Sequence, residues 1–215
     1  MKKILIFTTA LFLCAGSLFA QSEKYTAAMK ENIAAIGEAY KSPASLLALA
    51  NKFERIANAE KTQWLPFYYA AFCQVNSTFI STDKSTSDAV ADKATELINQ
   101  AAALSPNNSE ISVLKSMIAS AHLMVDPMNR YMTYGPESGK YLEEALQQDP
   151  TNPRPDYLAG QALKYTPEQF GGGCKTALEK LEASAKKYET FKAASDIHPN
   201  WGKDQVTAMI AECKK

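Results

Sequence analysis

The chain has 215 residues, 46% of them hydrophobic, with 23 basic and 23 acidic side chains. That supplies ample apolar material for a core and leaves no basic surplus for a polyphosphate backbone, which excludes nucleic acid as a partner class. No apolar run reaches the ~20 residues of a membrane-spanning helix, and no low-complexity tract argues for disorder.

Residues 1–20 read as a secretory signal peptide. Lys2 and Lys3 form its basic start, Ile4 to Leu13 its apolar stretch, and Leu18-Phe19-Ala20 the cleavage site before Gln21. A lipoprotein signal would place small residues ahead of its cysteine, whereas Leu13 immediately precedes Cys14. A soluble exported protein, periplasmic or extracellular, is therefore expected rather than one anchored by lipid through Cys14. The mature chain, 21–215, reads as a single domain and carries two more acids than bases. Export places its thiols Cys73, Cys174 and Cys213 in an oxidising compartment, so one internal bridge and one leftover thiol are expected.

Tyr25, Met29, Ile33, Ile36 and Tyr40 recur at helical spacing and predict a first amphipathic helix from Ser22 to Tyr40. Ser42 and Pro43 then cap a second, running to about Asn58 with Leu46, Leu49, Phe53 and Ile56 on one side. Whether this pair is a repeat or an N-terminal cap stays open. The third helix, Thr62 to Ser81, is apolar nearly all round and so reads as buried between neighbours. Its aromatic run reads as core rather than as a cofactor platform, and its small packing residue is Ala70 or Ala71. Further helices are predicted at Ala89–Leu104, Glu110–Val125, Ser138–Gln148, Asp156–Tyr165, Cys174–Tyr188 and Gly202–Glu212. No alternating strand pattern occurs, so the fold class is all-α.

Two stretches echo each other. Laying Pro106 on Pro150 brings Ser116 over Gly160, and Ala94, Ile98 and Ala101 over Ser138, Leu142 and Ala145. A small residue in one helix, Ala and a bulky residue in the next, then proline in the turn resembles the tetratricopeptide repeat of secreted bacterial proteins, over about residues 62–188. The resemblance implies antiparallel helix pairs stacked as a short α-solenoid with a C-terminal closing helix. Ala101 to Ala145 spans 44 residues and Ala145 to Ser184 spans 39, against about 34 in the plain repeat. The turns after helix B are compact, so the surplus lies between helices A and B, at 82–88, 126–137 and 166–173. These three insertions should sit side by side on one edge.

The resemblance further implies a non-enzymatic scaffold that binds a protein segment or peptide along a concave helix-A groove. The repeat register assigns Val113, Met117, Arg154, Tyr157, Gln161, Lys164 and Tyr165 to that groove, with Arg154 and Lys164 available for a carboxylate. Tyr131, Tyr134 and Phe170 fall at its edge, on the insertions, where they either extend the groove or only seal the solenoid edge. The alternative is a small-ligand module or transporter-associated subunit with a pocket beneath the insertions.

No catalytic, cofactor or metal site is predicted. Gly171-Gly-Gly-Cys-Lys-Thr176 lacks the contiguous Gly-Lys-Thr and preceding strand of a phosphate loop, so its glycines are expected to permit a sharp connection. Cys174 begins a helix, as a reactive thiol would, yet His122 and His198 sit in no recognisable hydrolase or metal spacing. Asp126 and Glu137 read as solvated loop acids. Cys174 starts the eighth helix and Cys213 ends the ninth. Antiparallel rises of ~21 Å and ~18 Å bring the two level, which predicts a Cys174–Cys213 disulfide.

Overall fold

The computed structural model describes residues 23–215; the signal-peptide and Cys14 expectations fall outside that range. Ten α-helices occur among the described residues: α1 (23–34), α2 (Ile36–Ala39), α3 (Pro43–Ala59), α4 (Trp64–Ile80), α5 (Ser87–Leu104), α6 (Ser109–Leu123), α7 (Pro127–Gln148), α8 (Arg154–Tyr165), α9 (Cys174–Thr190) and α10 (Lys203–Cys213). They pack as stacked antiparallel pairs, with no strand among the described residues. Helix starts follow local chemistry: the Ser42 side chain accepts a hydrogen bond from Ser45 N–H at 3.1 Å, and Asn108 Oδ1 accepts one from Glu110 N–H at 3.0 Å. The first predicted helix is interrupted by a turn at Ala35, which separates α1 from α2.

α4 is the centre of the stack. Every residue from Leu65 to Thr78 is buried, so both Ala70 and Ala71 serve as packing positions. The aligned positions Ala101, Ala145 and Ser184 are all fully buried. Within pairs, small residues let the helices approach. Ser116 Oγ lies 2.8 Å from Ser138 Oγ, and a Cβ at Gly160 would meet Leu181 Cγ at 2.7 Å. The turn before α8 is tied down by Asn152, whose amide donates to Ser109 Oγ and Glu110 Oε1 at 2.9 and 2.8 Å.

Two features depart from expectation. The insertion at 126–137 is helical: α7 starts at Pro127, capped by Asp126, and runs through Pro136. A proline there removes the bond to the Met132 carbonyl, but Met132 is exposed, so water can replace the lost donor. Secondly, residues 191–202, between α9 and α10, form a non-helical strap that returns across α4 and α8.

The predicted disulfide is present. Cys174 and Cys213 join with Cα atoms 5.0 Å apart and fasten α10 to the start of α9. Lys164–Glu212 and Lys214–Glu182 ion pairs support the same closing helix. The remaining thiol, Cys73, is buried in α4, and burial pushes its pKa up to about 12.

Candidate functional site

The helix-A face, formed by α4, α6 and α8, is closed by the strap. Trp201 Nε1–H donates to Tyr68 Oη at 2.9 Å, and its ring packs against Phe72 and Tyr157 at centroid distances of 5.3 and 6.3 Å. Tyr188 Oη–H donates to the Trp201 carbonyl at 2.7 Å. The next residue must be glycine. Gly202 has φ +109°, and a Cβ there would stand 2.1 Å from Tyr188 Oη. Midway along the strap, Lys30 of α1 pairs with Asp196 at 2.6 Å.

Arg154 is the knot in this closure. It is 0% exposed. Its guanidinium lies between the rings of Phe191 and Trp201, 4.8 and 5.0 Å from their centroids. It donates to Glu110 Oε1 at 2.7 Å and to the Pro199 carbonyl at 2.8 Å. Burial raises the Glu110 pKa despite the nearby arginine, so desolvation outweighs the attraction of its partner.

These contacts correct the groove assignment. Val113, Met117, Arg154 and Tyr157 are all buried within the solenoid, so they offer no free surface. Arg154 does bind a carboxylate, but it is that of Glu110. Lys164 pairs with Glu212, and Gln161 Nε2–H reaches Tyr157 Oη at 3.5 Å. Of that set only Tyr165 is well exposed, with the Lys164 ammonium 5.2 Å from its ring centroid.

The A–B edge is the opposite case. The ends of α5, α6 and α7 meet there through Asp88, whose two oxygens accept from Arg130 at 2.6 and 2.8 Å. Arg130 also donates to the His122 carbonyl at 3.0 Å, while His122 Nδ1 lies 3.0 Å from Asp88 and its ring stacks on Tyr134 at 5.1 Å. The paired bonds from Arg130 hold the Asp88 carboxyl at about 2, well below its ordinary value. This polar clasp holds the first turns of α7, where no residue before Leu142 is buried.

The other face of that segment points to water. Eight large apolar side chains are exposed among the described residues, and six of them lie on this edge. Met124, Met128, Tyr131 and Met132 come from the α6–α7 junction, and Tyr165 and Phe170 from the α8–α9 connection. Met128 is 92% exposed and Met132 82%. Antiparallel packing brings both connections to one end of the stack, as expected for the insertions. In the second connection Gly171 and Gly173 have φ of +83° and +92°, and a Cβ at Gly172 would fall 2.1 Å from the Thr166 carbonyl oxygen. The glycines thus make the tight turn that presents Phe170.

Tyr131 and Phe170 were legible as edge aromatics. The Met124, Met128 and Met132 series was not singled out, although its regular four-residue spacing was visible. Neither the Asp88 clasp nor the strap had a local signal. Among the described residues no group of three or more His, Cys, Asp or Glu side chains could hold a metal, and no helix is long and apolar enough to cross a membrane.

No protein-family model matches the chain, and no curated protein matches it. A solved structure does: the HusA haemophore from Porphyromonas gingivalis, with a TM-score of 0.79 and 37% identity, over 88% of this chain and 92% of that one. At that identity and coverage, the chain belongs to the family of the HusA haemophore.

Proposed function

We propose that the protein is an exported, non-enzymatic binding protein that holds a haem-type tetrapyrrole against the A–B edge of a tetratricopeptide-like solenoid. The gathering of six exposed apolar side chains at one edge carries this reading. A flat, largely apolar macrocycle needs thioether and aromatic surface to leave water, at roughly 25 cal/mol per Å² of apolar area buried. Met128, Tyr131, Met132 and Phe170 offer that surface. Carboxylate substituents on the ring need cations, and Lys175, exposed in the first turn of α9, has no ion pair among the described residues.

Bound haem would supply an iron centre beside these side chains. His122 is an unsuitable ligand for it. Its Nδ1 is engaged by Asp88, its Nε2 faces Asp92 at 3.6 Å, and the side chain is 12% exposed. With His122 committed, the hold on the macrocycle would come from the edge side chains themselves. The family relationship favours this small-ligand reading, and the strap leaves a peptide no helix-A groove to enter. A single mature domain over 21–215, in the periplasm or outside the cell, completes the reading.

Titration of the purified mature chain with haem, followed by visible absorbance, tests it. Saturable binding is expected, weakened at least about tenfold by Met128→Ser with Met132→Ser, since two apolar contacts of ~1 kcal/mol or more are lost. Tyr40→Ser, away from the edge, should leave affinity unchanged. Absence of saturable binding, or an edge variant that binds like the wild type, contradicts the proposal.

A further inference from the structure

The methionines are unevenly placed. Six fall among the described residues: Met29 and Met117 are buried, Met209 is half-buried, and the three exposed ones are Met124, Met128 and Met132. Packing does not explain methionine at these positions. Thioethers usually fill irregular gaps in cores, whereas the Met128 and Met132 side chains face open water. They stand four residues apart on one face of α7, beside Tyr131. Unlike an equally apolar leucine, an exposed thioether carries a sulfur that peroxide can oxidise.

We infer that Met124, Met128 and Met132 form a peroxide-reactive modification site that switches the A–B edge from apolar to polar. The co-reactant is hydrogen peroxide. A sulfur lone pair attacks one peroxide oxygen, the O–O bond breaks, and the other oxygen leaves as water after proton transfer. Sulfur loses two electrons and gains one oxygen, so the side chain becomes a polar sulfoxide, which methionine sulfoxide reductases reverse. Met29 and Met117 are shielded by the core, which makes the reaction selective. Oxidation in this place would lower the hold on any apolar ligand. The haem part of the inference rests on the function proposed above; the selectivity and the change in polarity do not.

The test treats the purified mature chain with dilute hydrogen peroxide, removes the excess with catalase, and maps oxygen uptake by peptide mass spectrometry. Met124, Met128 and Met132 should gain oxygen well before Met29 and Met117, and fluorescence of an apolar surface dye should fall. Haem affinity should drop about tenfold, the loss expected when two apolar contacts turn polar, and recover after sulfoxide reductase treatment. A Met124→Leu, Met128→Leu, Met132→Leu variant should bind dye and haem before and after peroxide alike. Uniform oxidation of buried and exposed methionines, an unchanged dye signal after edge oxidation, or equal peroxide sensitivity of the leucine variant overturns the inference. If untreated protein fails to bind haem, the proposed function falls, while the mass map and dye still decide the modification site.

Discussion

The helix-A face and the A–B edge are carried by the same helix pairs, yet they treat their aromatic and charged residues in opposite ways. On the face, Arg154, Tyr68, Tyr157 and Trp201 are joined to one another by the strap, and Arg154 is fully buried. On the edge, Met128, Met132 and Phe170 touch water, and the Asp88–Arg130–His122 clasp holds the first turns of the helix that bears two of them. A solenoid surface that could receive a partner has here been closed by the chain's own C-terminal segment. The segments between helices A and B, free of core packing, are left to carry exposed apolar chemistry.

The largest expected effect comes from opening the closed face. Arg154→Ala leaves Glu110 buried beside no cation and frees the Phe191 and Trp201 rings, so unfolding in urea should show a loss of about 3–5 kcal/mol. A loss below about 1 kcal/mol would mean that the knot is ornamental. Next is Cys213→Ser. Releasing the loop between residues separated by 39 positions should cost about 3–4 kcal/mol in the chain-entropy picture, with exchange of α10 amides rising first.

The edge should respond differently. Arg130→Ala removes the clasp without touching the core, so the melting transition should stay close to wild type while amides at 127–135 exchange faster and haem binding weakens severalfold. Combining Asp88→Arg with Arg130→Asp should restore both. The smallest effect is in pH. Because the folded Asp88 carboxyl is depressed, its contribution is complete above its ordinary value of about 4 and disappears as pH falls through about 2. The Arg130 guanidinium signal, followed by NMR, should therefore keep its paired position down to pH 5 and lose it only in stronger acid.

Much of the scaffold was legible because repeat positions obey local rules. Ser116 and Gly160 had to be small where helices cross, and Ser42, Pro43 and Asn108 mark helix starts without tertiary help. The Cys174–Cys213 bridge followed from helix direction alone. The helix expected from Ser138 instead starts at Pro127: Met132 is exposed, so water can replace the donor missing at Pro136 and α7 runs through. The strap could not be read. Its anchors have no periodicity, and Arg154 finds Glu110 and Pro199 at sequence distances of 44 and 45 residues. The groove assignment expected an arginine free to take a partner's carboxylate, whereas Arg154 is committed to Glu110 of the same chain.

The most direct test of the division between closed face and open edge is a hydrogen-exchange footprint of the mature protein with and without haem. Protection confined to 124–135 and 165–175, with 191–202 unchanged, is the predicted pattern. Protection of the strap and of α8 around Arg154 and Tyr157, with the edge unaffected, would contradict it.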